Sequence, residues 1–182
     1  AYAVKFAARG LLERVAVLED PAVSSDEKVQ LMPALAAESG CLKALATLMA
    51  ADGIEDLRRC CGGNGYLLSS GIAALALDDL WHVTAEGDYV LLLLASGRFF
   101  VKRSAPAAAD DRGAAMESVE DWMDASKVLG EVRRQADLRL VAASEAVAAA
   151  RASGLSEDAA FNEAAEELVA AASWRGYAMM LE

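Results

Sequence analysis

An all-α fold is predicted for this 182-residue chain by three observations. Its apolar fraction of 55% is swollen by alanine, while strand-favouring Ile, Thr, Tyr and Phe are scarce, which biases the backbone toward helix. Apolar residues recur at three- and four-residue spacing over long stretches, the period of a helix with one buried face. Helix-start signatures stand where those stretches begin. A chain of this length can bury one good core or one core plus a smaller appended bundle, so two packed helical units are expected.

Residues 2–18 read as the first helix, with Tyr2, Phe6, Leu11, Leu12, Val15 and Leu18 at helical spacing and a stop near Glu19-Asp20-Pro21. Ser24, with Glu27 three residues on, is a capping box opening a long helix. Its apolar face would carry Val29, Met32, Leu35, Leu42, Leu45 and Met49, and it should run to about Cys61, with Pro33 and Gly53 as irregularities. In residues 58–71, RRCCGGNGYLLSSG, three glycines in four positions end helix and open the backbone to close approach. Ile72–Leu80 is then a short helix, and residues 87–102 a longer, largely apolar one that must be buried on most sides. The connection between the two long helices is too short for a separate domain, so they should pack antiparallel.

Residues 104–113, SAPAAADDRG, form a linker by composition. A short amphipathic piece follows around 119–129, then a helix over about 131–152. Ser156, with Glu157 and Asp158 in the first turn, caps a last helix reaching the C-terminus. The alanine runs at 142–151 and 164–172 are interrupted by charges at helical spacing, which indicates close-packed helices rather than low complexity. The organisation expected is a bundle over 1–103, a linker over 104–117 and a second helical unit over 118–182.

The formal charge of −11, from 28 acidic and 17 basic side chains with no basic stripe, argues against nucleic-acid binding. The longest apolar run, Val90 to Ala95 continued through Phe99-Phe100-Val101, is broken by Ser96, Gly97 and Arg98 and falls short of the ~20 residues of a spanning helix, so no transmembrane segment is expected. Cys41, Cys60 and Cys61 form no CxxC pair; they read as small buried packing residues of a reducing compartment. His82, the only histidine, stands four residues before Glu86, but two ligands make no metal site, and a helix-end histidine near the surface is the simpler reading. Trp81, Trp122, Trp174 and the Phe99-Phe100 pair read as core or interface anchors.

Ala51-Asp52-Gly53-Ile54-Glu55, Arg58, Gly62-Gly63-Asn64-Gly65-Tyr66 and Glu86-Gly87-Asp88, with Arg98 and Lys102 at matching distance, resemble the C-terminal helical region of acyl-CoA oxidases, FAD enzymes related to acyl-CoA dehydrogenases. The likeness is strong over 29–103 and looser in the opening AYAVKFAARGLLERV and the closing FNEAAEELVAAASWRGYAMMLE. It implies that a fatty acyl-CoA is oxidised to the trans-2-enoyl-CoA while oxygen becomes hydrogen peroxide, in the peroxisome. Glu86 matches the family's catalytic glutamate, the base for the α-proton. Gly62, Gly63 and Gly65, followed by Tyr66, match the loop whose backbone approaches FAD, commonly that of the neighbouring subunit. Asp88 and Val90 match positions near the flavin ring. Read from the residues alone, Glu86 is more simply a helix-N-terminal acid favoured by the dipole, and the glycines a turn.

The chain departs from the family pattern at Ala85, Tyr89, Val90 and Ala95, and at Ala36 just upstream of the Leu42-Lys43 pair. Nothing in it reads as the family's N-terminal helical or middle β domain, and it opens at Ala1, so a piece of a longer protein is expected. Implied partners are fatty acyl-CoA, the remainder of the oxidase or other subunits, and an oligomer. The alternative is an oxidase-derived helical subunit with a structural or docking role in an organellar complex. In that case Tyr89 or a partner should fill the surface around 62–66 and 85–90.

Overall fold

The computed structural model describes residues 2–103 and 118–182, and among these no residue is in a strand. The helices are α1 (Tyr2–Glu19), α2 (Ser25–Cys60), α3 (Gly63–Tyr66), α4 (Ile72–Leu80), α5 (Tyr89–Arg103), α6 (Val119–Met123), α7 (Ala125–Ala152), α8 (Glu157–Glu163) and α9 (Ala165–Leu181). The linker expected over 104–117 lies outside the described residues.

The capping box opens α2 as expected: Ser24 Oγ accepts from the Glu27 amide at 3.3 Å, and the Glu27 carboxylate accepts from the Ser24 amide at 3.1 Å. The helix then runs through Pro33 and Gly53 without a break. It packs antiparallel to α5, because contacts step backward along α2 as α5 advances. Lys43 meets Gly87, Gly40 lies against Leu92, and the buried Ser96 hydroxyl reaches the Ala37 carbonyl at 2.7 Å. Helix α1 lies along the same pair, with Arg14 paired to Glu38.

The third member of this core is α9, and it gets in by way of glycine. A Cβ on Gly97 would stand 2.5 Å from the Leu168 carbonyl oxygen, and one on Gly176 would stand 2.8 Å from Cys41 Sγ. One apolar cluster joins Cys41, Leu42, Leu45, Leu93, Phe100, Ala172 and Met180; a second joins Ala143, Val147, Ala150, Phe161, Leu168 and Ala171. Helix α9 contributes to both, so chain from either side of 104–117 shares a core. Fully burying a leucine such as Leu45 or Leu168 contributes about 1.5–3 kcal/mol. The Cys41 thiol donates to the Ala172 carbonyl at 3.1 Å, and burial pushes its pKa up to about 12.

Several expectations need correcting. Val29, Met32 and Met49 are about half exposed or more, because α2 outruns the helices that cover it and its buried residues fall only between Leu35 and Leu45. Cys60 and Cys61 are exposed at the α2 terminus rather than packed inside. The helix expected over about 131–152 begins at Ala125, where the Asp124 carboxylate accepts from the Ser126 amide at 2.9 Å; Gly130 interrupts nothing. The final helix is two, broken at Ala164 (φ −89°, ψ 23°). The break lets α8 set Phe161 beneath Arg98 and Lys102 of α5, whose cations lie 5.4 and 5.1 Å from its ring centre. Arg98 also donates to Asn162 at 2.6 Å, and Lys102 pairs with Glu157 at 2.6 Å. Of the two places expected for Trp81 and Trp122, core or interface, their exposure on the surface of the chain removes the core. Helix α2 is itself long and apolar enough, by length and composition, to cross a membrane; here its middle is the centre of the bundle.

Candidate functional site

The turn before α5 holds Glu86 in a conformation that side chains avoid. Its φ is +57°, which makes it the one non-glycine residue with positive φ among those described, and Gly87 follows at φ +111°. Left-handed backbone costs a non-glycine residue about 1–2 kcal/mol, so something must hold the turn in place. On the N-terminal side, the Thr84 and Ala85 amides both close onto the Trp81 carbonyl, at 3.1 and 2.9 Å. On the C-terminal side, Asp88 caps α5 by accepting from the Val90 amide at 2.9 Å. From across the bundle, Lys43 Nζ donates to the Gly87 carbonyl at 2.7 Å. The Glu86 side chain is exposed, and its carboxylate has no hydrogen-bond or ion-pair partner among the described residues.

The glycine loop at the end of α2 contains three glycines with three different reasons to be glycine. Gly62 turns the chain with φ +56°. Gly65 is buried, and a Cβ there would fall 2.1 Å from the Arg58 carbonyl oxygen, so this glycine lets the loop fold back onto its own helix. Gly63 has neither reason: its φ is unexceptional and nothing lies within 4 Å of a Cβ. The loop is also not irregular, as the glycine density suggested, but makes the single turn α3. Its footing is firm. Glu55 accepts from Arg58 at 2.6 and 2.7 Å and from Arg59 at 3.0 Å, and the hydrogen bonds from these guanidiniums, Arg58 first, hold the Glu55 carboxyl down to a pKa of about 2.

The structure therefore groups the predicted site residues into two sets. Gly62, Gly63, Gly65 and Tyr66 stand together at the end of α2, while Glu86, Asp88 and Val90 stand together at the start of α5. Between Lys43, which marks the second set, and Cys60, beside the first, the α2 axis climbs about 26 Å at ~1.5 Å per residue. No single small group touches both across that span. Large apolar side chains are exposed on the segments that link the two sets: Tyr66 is 78%, Leu68 75% and Leu77 72% exposed, with Leu80, Trp81 and Leu91 also out. Tyr89 is not among them, being partly buried against the core cluster of Leu42 and Leu93.

His82 shares no helical face with Glu86, because a short 3₁₀ turn, Trp81–Val83, and the left-handed turn intervene. Its ring stacks on Trp81 at 3.9 Å and its Nδ1 faces the Asp79 carbonyl at 3.0 Å. Among the described residues no group of three or more His, Cys, Asp or Glu could hold a metal ion. Sequence reasoning missed Lys43, and no local signal could have found it: a lysine in a long helix reads as a solvated face.

Comparison with known proteins adds the family. Residues 1–101 match the family described as acyl-CoA oxidase, C-alpha1 domain. The chain is similar to peroxisomal acyl-coenzyme A oxidase 1 of Arabidopsis thaliana, 48% identical over 61 residues that make up 34% of this chain and 9% of that protein. It is also similar to peroxisomal acyl-coenzyme A oxidase 1 of Rattus norvegicus, 34% identical over 102 residues, 56% of this chain and 15% of that one. Among solved structures it superposes on acyl-CoA oxidase-1 of Caenorhabditis elegans, complexed with FAD and ATP, with a TM-score of 0.80 over 98% of this chain and 28% of that one. At 21% identity that likeness shows the fold. The chain spans 9–15% of the length of these two curated relatives.

Proposed function

The chain belongs to the acyl-CoA oxidase family, and from that premise we propose that it is the C-terminal helical part of a flavin-dependent, peroxisomal oxidase of fatty acyl-CoA in which Glu86 is the catalytic base. The observation that carries the reading is the Glu86 turn: an exposed carboxylate without a hydrogen-bond or ion-pair partner among the described residues, projected from left-handed backbone that the fold maintains at a cost.

The residues fit a flavin. Gly63 presents bare backbone to open space on a loop that folds back onto α2 through Gly65, and the exposed Tyr66, Leu67 and Leu68 follow it in the chain. FAD, when bound, supplies the acceptor for the hydride leaving the β-carbon and delivers the electrons to oxygen, which becomes hydrogen peroxide. The chain's own work is at the α-carbon, where the Glu86 carboxylate accepts the proton. Gly62, Gly63, Gly65 and Tyr66 would approach one flavin through their backbone, and Asp88 and Val90 would flank the ring of another. The ~26 Å between the two sets favours an oligomer in which the loop serves the flavin of a neighbouring subunit and Glu86 serves its own. The rest of the oxidase and that neighbour would cover the exposed apolar side chains and exclude water from the base.

Tyr89 packs against the core, so a purely structural subunit would have to fill the cofactor space with a partner protein instead. The test is Glu86→Gln in the full-length, flavin-loaded oxidase. Flavin content and melting temperature should stay at the parent values, while anaerobic flavin reduction by a fatty acyl-CoA falls ~10²-fold or more. Reduction at the parent rate would place the base elsewhere.

A further inference from the structure

We propose that Lys43 is a positioning residue for Glu86, fixing the left-handed turn from which the carboxylate projects. The inference rests on the reading of Glu86 as the base. Three observations carry it. The Lys43 ammonium reaches from α2 to the Gly87 carbonyl at 2.7 Å, across 44 positions of sequence. Among the described residues Lys43 forms no ion pair with a carboxylate, so this carbonyl is where its charge is directed. The carbonyl belongs to the second of two consecutive positive-φ residues, and the first is Glu86.

The geometry explains why such a clamp is needed. The Glu86 carboxylate makes no hydrogen bond or ion pair to any described residue, so no side-chain partner aims it; its direction is inherited from the backbone at 86 and 87. The other restraints on the turn are local. Asp88 caps the following helix, Trp81 closes the preceding turn, and Leu92 lies beneath Gly87, where a Cβ would meet Leu92 Cδ2 at 3.0 Å. Among the described residues, the hydrogen bond that joins the turn to the distant α2 is the one from Lys43. A charged donor to a backbone carbonyl is a short, strong hydrogen bond, and it opposes the peptide rotation that would carry Glu86 back to ordinary backbone. A base must be held to within about 0.5 Å of its productive position, and a displacement of about 1 Å costs on the order of 10²-fold in rate.

The experiment uses the full-length, flavin-loaded oxidase with Lys43→Met, which keeps an unbranched apolar stem and loses the donor, Lys43→Arg, which keeps a cationic donor, and Glu86→Gln in parallel. The readouts are the anaerobic rate of flavin reduction by a fatty acyl-CoA, the affinity for a non-oxidisable acyl-CoA thioether, flavin content and melting temperature. Lys43→Met should slow flavin reduction ~10–100-fold while thioether affinity changes less than ~3-fold, and Lys43→Arg should recover most of the rate. Lys43→Gln, with a shorter neutral donor, serves if Lys43→Met does not fold, and should be slowed in the same sense. Flavin reduction within twofold of the parent in the variants lacking the cation, while Glu86→Gln abolishes it, overturns the positioning role and leaves the base assignment standing. A loss that tracks flavin content or melting temperature, and that Lys43→Arg does not rescue, also overturns it. Parent-rate reduction by Glu86→Gln instead removes the reading on which the inference stands.

Discussion

Replacing Glu86 by glycine and, separately, by alanine tests whether its backbone is strained. Both substitutions remove the same carboxylate, which makes no hydrogen bond or ion pair to any described residue, so their difference isolates the backbone. At φ +57° alanine keeps the left-handed penalty of about 1–2 kcal/mol, and glycine escapes it. Glycine's greater freedom in the unfolded chain takes back about 0.5–1 kcal/mol, leaving the glycine variant ahead by roughly 0.75 kcal/mol at the midpoints of the two ranges. In ordinary helix the order is the reverse. Gly53 sits inside α2 with nothing within 4 Å of a Cβ, so Gly53→Ala should stabilise by about 0.8–1 kcal/mol. For a chain of this size 1 kcal/mol corresponds to ~2–4 °C, so Glu86→Gly should melt ~1–4 °C above Glu86→Ala, and Gly53→Ala ~2–4 °C above the parent. Thermal unfolding followed by circular dichroism, with urea midpoints as a second measure, resolves such differences. A Glu86→Ala chain melting at or above Glu86→Gly would show that position 86 relaxes to ordinary backbone, and the strain argument would fail.

Gly97→Ala should destabilise by a net ~1–2 kcal/mol, since a Cβ 2.5 Å from the Leu168 carbonyl forces α5 and α9 apart by more than the helix propensity of alanine returns; a melting temperature equal to the parent's would refute that contact. At pH 8 a soluble disulfide reagent should label Cys60 and Cys61 readily and Cys41 only as fast as the chain unfolds, so a third thiol reacting with the first two would contradict the burial of Cys41. The Cys41 pKa, raised to about 12 from 9.0, means the folded state keeps a proton that the unfolded chain gives up. That contribution is fully present below pH 9 and is lost as the pH climbs toward 12. Denaturation midpoints measured across that range should fall with a slope that Cys41→Ala lessens.

What the amino-acid order determined unaided is what depends on neighbours along the chain. The Ser24–Glu27 cap closes over three residues, the period of α2 and α5 follows from helical geometry, and alanine abundance excludes strands by propensity, so the all-α class and most helix starts were legible. The family likeness of residues 62–66 and 86–88 was legible too, because motifs survive as letters. The tertiary structure decided what requires two distant segments to meet. Whether Val29 and Met49 are buried depends on how far α5 and α9 extend along α2, and they do not reach. The same letter at 62, 63 and 65 serves a turn, an open surface and a close approach to Arg58, and only coordinates tell these apart. Glu86 looked like an acid opening a helix; the fold places it one turn earlier, in left-handed backbone held by a lysine from the middle of α2. Strain of that kind leaves no mark in composition or period, since it is sustained by contacts between parts of the chain that the sequence keeps far apart.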